Sequence, residues 1–182
     1  MDIPPVSRYT SLYESVCVKL RNVCKGRKPV KLCILSDSHG NGDLVEKVLV
    51  QERPDMALFL GDGIRDIIFA AEKLGTPYFA LTGNCDLSAS APHERLLVLE
   101  NKRIFMTHGH LYHVKEGMSR LRERAEENQA DIALYGHTHT TYAELYDGRL
   151  YLCPGSVGKR GNSSVILTLE DGNVRYEFRT LG

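Results

Sequence analysis

The chain has almost no charge to spare. Its 23 basic and 23 acidic residues cancel, so no overall field draws it toward nucleic acid or an anionic membrane. Strong general nucleic-acid binding is not expected, and any charge that binds phosphate must be local. No apolar run approaches the roughly 20 residues needed to span a bilayer. The start, MDIPPVSRYT, lacks both the basic region and the apolar core of a signal peptide. These absences predict a cytoplasmic protein with no membrane partner. Cysteine is sparse: Cys17, Cys24, Cys33, Cys85 and Cys153 form no C-x-x-C pair and are odd in number, which suits reduced thiols better than a disulfide framework. Cys17, Cys33 and Cys153 are expected to pack as small hydrophobes. There is no internal repeat of solenoid length and no low-complexity tract. Neither G-x-G-x-x-G nor G-x-x-x-x-G-K-[ST] follows the first apolar run, which argues against a nucleotide-binding domain built on those loops.

What is present fits one domain in a chain of 182 residues. Residues 1–29 read as an appendage. Pro4 and Pro5 oppose a helix, Ser11 with Glu14 offers a capping box, and Leu12, Val16, Leu20 and Val23 recur at helical spacing up to Gly26 and Pro29. This helix is expected to cover part of the body or to serve as an oligomer contact. Residues 30–182 form the main domain, which opens as short apolar runs alternating with amphipathic stretches, the pattern of an α/β fold. VKLCIL, MALFL, YFAL, RIFM and IALY are predicted strands; residues 42–52, 64–74 and about 114–129 are predicted helices. After residue 140 two hairpins are expected, TYAELY-DG-RLYLC and SSVILTLE-DG-NVRYEFRTL, each turned at an Asp-Gly pair.

Every predicted strand in the first part is followed at once by groups that bind metal: Asp37 and His39 in SDSHG, Asp62 in GDG, Asn84 and Asp86 in GNCD, His108 and His110 in THGH, His137 and His139 in GHTH. Any one of these would pass as a turn with an Asx hydrogen bond or as a solvated loop. Five in order are harder to explain that way, because the carboxyl ends of strands in an open α/β sheet face one crevice. On an extended backbone, residues one apart point the same way. Asp37 with His39, and His137 with His139, are therefore each expected to grip from one side. Imidazole mixed with carboxylate and amide oxygen suits first-row divalent ions, manganese first, with nickel, iron and zinc as alternatives. About seven direct ligands among them are too many for one tetrahedral ion; two ions sharing Asp62 use those seven.

The ordered set SDSHG, GD, GNCD, THGH and GHTH, followed by PGS at Pro154 to Ser156, resembles that of the calcineurin-like metallophosphoesterases, in particular their small YfcE-type phosphodiesterases. The resemblance runs from about residue 30 to the end and leaves the N-terminal helix outside. It implies a four-layer α/β/β/α sandwich, two mixed β-sheets face to face with helices outside. It also implies one metal held by Asp37, His39, Asp62 and His139, and a second held by Asp62, Asn84, His108 and His137, with Asp86 as a support behind them. The subgroup points to a homo-oligomer, a dimer or tetramer. Larger relatives have histidine after the Gly-Asn pair, where it is thought to serve the leaving group; here that position is Cys85. A thiol of ordinary pKa near 8.5 is a poor acid for an alkoxide, so His110 is the candidate replacement.

Two ions sharing a water lower its pKa toward neutrality and neutralise phosphate oxygens. Two divalent charges less the carboxylates of Asp37 and Asp62 leave a surplus that one hydroxide and one diester monoanion cancel. The expected activity is phosphodiester hydrolysis on a small substrate, with weak monoesterase activity. A rival reading is a non-catalytic scaffold like the small retromer subunit, which has this fold with a degraded metal pocket. Its bridging carboxylate and Gly-Asn positions are altered, whereas Asp62 and Asn84 are present here. Lys159 to Gly161 is a further candidate for touching substrate phosphate.

Overall fold

Strand β1 (Val30–Leu35) is buried along almost its whole length. Val30, Leu32 and Ile34 enter one apolar cluster and Cys33 and Leu35 enter another, as period-two alternation demands of a strand covered on both faces. The structure is a computed structural model and describes residues 28–180 apart from 88, 159 and 160. The helix expected within residues 1–29, with Cys17 and Cys24, lies outside the described residues, as do Lys159 and Arg160.

One sheet runs β10-β9-β1-β2-β3 and the other β4-β5-β6-β8-β7. In the first, β2 (Met56–Phe59) and β3 (Tyr78–Ala80) run parallel to β1, while β9 (Ser163–Glu170) and β10 (Asn173–Thr180) add an antiparallel hairpin. In the second, β5 (Lys102–Thr107), β6 (Ile132–Leu134) and β8 (Arg149–Pro154) are parallel, flanked by antiparallel β4 (Glu94–Leu99) and β7 (Thr141–Tyr146). The inner faces meet in a core that includes Leu32, Ile34, Leu58, Ile104, Leu134, Leu152 and Leu167. Helices α1 (Gly42–Glu52) and α2 (Ile64–Leu74) cover the outside of the first sheet through Val45, Val48, Leu49, Ile67 and Ala71. Helix α3 (Ser119–Glu127) covers the outside of the second through Leu121 and Ala125. The architecture is the four-layer sandwich of two mixed sheets flanked by helices. Among the described residues, no helix is long and apolar enough to cross a membrane.

The two predicted hairpins turn at Asp147-Gly148 and Asp171-Gly172, all four at positive φ, as tight hairpin turns require. Two elements depart from expectation. Strand β4 was not anticipated; it is joined to β5 through Glu100 and Asn101, both at positive φ, a conformation Asn tolerates but Glu seldom adopts. The helix expected from about 114 begins only at Ser119, after a short 3₁₀ turn at His110–Tyr112 and a left-handed His113. Val114 does pack beside Leu121 and Ala125, so its periodic burial is real although its backbone is not α-helical.

Candidate metal centre

The loops leaving β1, β2 and β3 carry Asp37, His39, Asp62 and Asn84; those leaving β5 and β6 carry His108, His110, His137 and His139. Hydrogen bonds knit them together across the sheets. Asp37 N–H donates to the Gly61 carbonyl (2.9 Å), His39 N–H to the Asp62 carbonyl (3.1 Å) and Gly136 N–H to the His108 carbonyl (3.0 Å). His137 N–H crosses from the second sheet to Asp37 Oδ2 at 3.0 Å.

The paired residues do not lie on extended backbone. Asp37 (φ 56°), His39 (47°), Asp62 (59°), His137 (67°) and His139 (59°) are all left-handed, a conformation that costs a side-chain-bearing residue on the order of 1 kcal/mol or more. The expectation that His137 and His139 grip from one side is therefore corrected. The curled loop sends His137 toward Asp62 and His108, and His139 toward Asp37 and His39.

Among the described residues three overlapping groups of donors result, the third being His39, Asp62 and Cys85. Those of Asp37, His39 and His139 lie within 4.8 Å of one another, as do those of Asp62, His108 and His137. In the first, His139 Nε2 stands 3.0 Å from Asp37 Oδ1 and 3.2 Å from His39 Nε2. In the second, His108 Nε2 is 3.4 Å from Asp62 Oδ2 and 3.1 Å from Asn84 Oδ1. Asp62 Oδ2 faces both groups, at 4.0 Å from His39 Nε2. Two ligands of one tetrahedral ion with bonds near 2.1 Å stand roughly 3.4 Å apart, so these separations have the right size.

Two local observations support a cation in each of the first two groups. Asp37 Oδ1 is buried and makes no well-aligned hydrogen bond, its near neighbour being His139 Nε2 at 3.0 Å, an arrangement a buried carboxylate rarely shows unless a proton or cation completes it. His108 places Nδ1 2.9 Å from the Leu60 carbonyl, an arrangement that puts a proton there and leaves Nε2 aimed at two oxygens. A proton or a cation must sit between them. The residues fit a pair of divalent ions, with Asp37, His39 and His139 positioned to hold one, Asn84, His108 and His137 the other, and Asp62 both.

The chain's own charges tune these groups. Burial alone would raise the Asp62 carboxyl, but its contacts with His108 and the Cys85 N–H (2.7 Å) outweigh that and hold it well below the usual carboxylate range. Burial opposes charge on His108, yet the Asp62 and Asp37 carboxylates raise it on balance. His137 is pushed down to about 4, first by burial and then by Lys115 and His108, which keeps its ring neutral and its lone pair free to bind.

Behind the donors stands a frame of polar contacts. Asp86 accepts N–H bonds from Asp62 (2.7 Å), Gly83 (2.9 Å), Gly63 (2.8 Å) and Ile64 (2.9 Å), and so ties the loop after β2 to the loop after β3. Asp66, which sequence reasoning passed over, accepts from Ser38 Oγ (2.5 Å) and Gly40 N–H (2.9 Å), bracketing His39. Its signal was an acidic residue in the first turn of a helix, four positions after Asp62. Ser156 of the PGS segment donates to the Asp37 carbonyl at 2.7 Å. The glycines of GD and GN are there for approach: a Cβ on Gly61 would stand 2.7 Å from Gly83 N, and one on Gly83 would collide with Asp62.

His110 lies at the edge of the cluster, its ring centroid 5.3 Å from that of His108, with a buried Nδ1 that has no partner. His93, assigned no role from sequence, packs 5.9 Å beyond it. Cys85 is exposed, and desolvation followed by the Asp62 carboxylate pushes its thiol up to about 11, which makes it a weak acid at neutral pH.

A two-sheet sandwich with imidazole, carboxylate and amide donors gathered at its strand ends is the class of fold and site that metallophosphoesterases carry. Residues 30–172 match the calcineurin-like phosphoesterase superfamily domain, and the chain belongs to that family. It is 31% identical to the probable metallophosphoesterase YsnB of Bacillus subtilis, over 82% of this chain and 90% of that one. It is 34% identical to the phosphodiesterase YfcE of Escherichia coli, over 73% and 83%. A predicted phosphoesterase from Streptococcus pneumoniae superposes with a TM-score of 0.73 at 28% identity, covering 85% of this chain and 91% of that one. The Vps29 of Entamoeba histolytica, solved with zinc, shares the fold at 19% identity with a TM-score of 0.62, over 82% of this chain and 98% of its own.

Proposed function

We propose that this protein is a phosphodiesterase that works with two divalent cations, manganese first among them. The observation that carries the reading is the convergence of the two donor groups on Asp62. When bound, such a pair of ions supplies a water of lowered pKa and neutralises phosphate oxygens. The residues do the rest. Asp37 and Asp62 are the carboxylates turned toward the centre, while Asp86 and Asp66 face main-chain N–H groups and Ser38. Two inward carboxylates against two divalent ions leave a surplus suited to one diester monoanion and its nucleophile, and less suited to a dianionic monoester. Asn84 directs its carbonyl oxygen at the inner group, 3.1 Å from His108 Nε2, where both can face one ion. We assign to His110 the hydrogen bond to the leaving oxygen, since Cys85 is poorly suited to give up a proton.

Likeness to Vps29 favours a scaffold reading by fold alone. The complete donor set, and the identity to YsnB and YfcE over most of their length, support hydrolysis instead. The test is turnover of bis(p-nitrophenyl) phosphate by purified protein with added Mn²⁺. Metal-dependent hydrolysis is expected, lost in Asp62→Ala and His108→Ala. Absence of metal-dependent turnover, or variants that match the parent, would contradict the reading. The assignment of His110 has its own signature: His110→Ala should slow esters with poor alkoxide leaving groups about 10²-fold, while p-nitrophenyl esters, whose leaving group needs no proton, change far less.

A further inference from the structure

Four strands end the two sheets: β3 and β10 in one, β4 and β7 in the other. An edge strand carries a row of unpaired main-chain N–H and C=O groups, which proteins shield by keeping the strand short, bulging it or placing proline in it. β10 has none of these protections. It is eight residues long, against three to six for the other edges. It pairs with β9 without a break from Asn173 to Thr180 and contains no proline. Among the described residues nothing pairs with its outer edge.

The two faces of β10 differ. Val174 packs against the core between the sheets, and by alternation Tyr176 and Phe178 share that face. Their rings stand 6.0 Å apart, edge to face, and stay 41% and 39% exposed. The opposite face carries Arg175, Glu177 and Arg179, charges of alternating sign. Arg179 is engaged by Glu177 (2.8 Å) and Glu52 (3.5 Å). Arg175 is largely exposed, and among the described residues its ion pair is a long one, 4.0 Å to Glu170.

This order of residues is self-complementary. In an antiparallel pair turned about Tyr176, Tyr176 meets itself, Val174 meets Phe178 twice, Arg175 meets Glu177 twice and Asn173 meets Arg179. The neighbouring centres fail. Turning about Arg175 sets that guanidinium against itself, and turning about Glu177 sets carboxylate on carboxylate and Arg175 on Arg179. A centre at Phe178 pairs Glu177 with Arg179 but uses residues 176–180 alone.

We propose that β10 is the contact between two copies of this chain, joined antiparallel about Tyr176 so that two five-stranded sheets continue as one of ten. Val174, Tyr176 and Phe178 of both copies then form one apolar strip, and two Arg175–Glu177 pairs lie on the other face. The contact uses none of the metal donors, so it holds whether or not the protein is a phosphodiesterase.

Sedimentation velocity of the full chain over a dilution series should show a monomer–dimer equilibrium. Arg175→Glu opposes carboxylates across the contact and Glu177→Arg opposes guanidiniums; each should raise the dissociation constant at least about tenfold. An equimolar mixture of the two variants regains both ion pairs in a heterodimer. Association should therefore return to the parent level, with one copy of each variant in native mass spectra. Should a charge reversal unfold the chain, Tyr176→Cys gives a second reading. Residues paired across antiparallel strands have Cα atoms about 4.5–5.5 Å apart, which admits a disulfide, so mild oxidation should yield a covalent dimer that the parent does not form. A parent that stays monomeric throughout the series, a dimer indifferent to both reversals, a mixture that remains monomeric, or a Tyr176→Cys variant that links no more than the parent would each overturn the proposal.

Discussion

The two donor groups meet at Asp62 but are held very differently. In the inner group, His108 and Asp62 are 0% and 2% exposed in their side chains, His108 is pinned to the Leu60 carbonyl, and Asp62 accepts the Cys85 N–H. In the outer group Asp37 is as deeply buried, but its imidazoles His39 and His139 are 36% and 42% exposed. The difference teaches that bonds to the main chain fix His108 and Asp62, while the outer imidazoles are held mainly by contacts with one another and with Asp37. An ion in the outer group should therefore bind more weakly and exchange faster.

The most severe way to break the contrast is to remove the residue common to both sides. Asp62→Ala should abolish tight binding of both ions and lower kcat/KM by at least about 10³-fold, read by metal content and by steady-state assay. Next comes Asp86→Ala, which orphans the N–H groups of Asp62, Gly63, Ile64 and Gly83. Even with water recovering some, a loss of about 3 kcal/mol is expected, seen as a lowered thermal midpoint, and the inner group should become as labile as the outer. His139→Ala sharpens the comparison instead. The protein should keep the inner ion and weaken the outer about 10–100-fold, so that equilibrium dialysis finds the metal-to-protein ratio moving from two toward one.

The smallest effect concerns the segment that follows His110. Glu94 on β4 takes a hydrogen bond from Arg124 Nη2 (2.5 Å) and another from the Tyr112 hydroxyl. Arg124 first, then Tyr112, outweigh partial burial and lower the carboxyl from its ordinary value of 4.5. A depressed carboxylate contributes stability above its unfolded pKa, and that contribution is lost as pH falls through the folded value. Glu94→Gln should cost roughly 1 kcal/mol or less at pH 7 because the group is partly exposed. Urea melts should show the gap shrinking as pH drops below 4.5 and vanishing in more acid solution; a gap that grows there would contradict the sign.

Much of this was legible because it is local. Short apolar runs marked β1, β2, β3, β5 and β6, and the donors stood directly after them. Two Asp-Gly pairs announced two hairpins. The features that were missed are those decided by distant partners. The left-handed turn of His137 and His139 is imposed by bonds from Gly136 to His108 and from His137 to Asp37, which no window of sequence contains. β4 was hidden by a Glu-Asn turn, and Asp66 by looking like an ordinary helix-start residue. His93 gains its place beside His110 only when the β4–β5 hairpin folds.

The most direct measurement is an anomalous-difference map from crystals soaked in manganese. Two peaks roughly 3.5–4 Å apart are predicted, one among Asp37, His39 and His139 and one among Asn84, His108 and His137, with Asp62 between them and the outer peak the weaker. A map with no peak among these side chains, or with manganese bound elsewhere on the chain, would contradict the account.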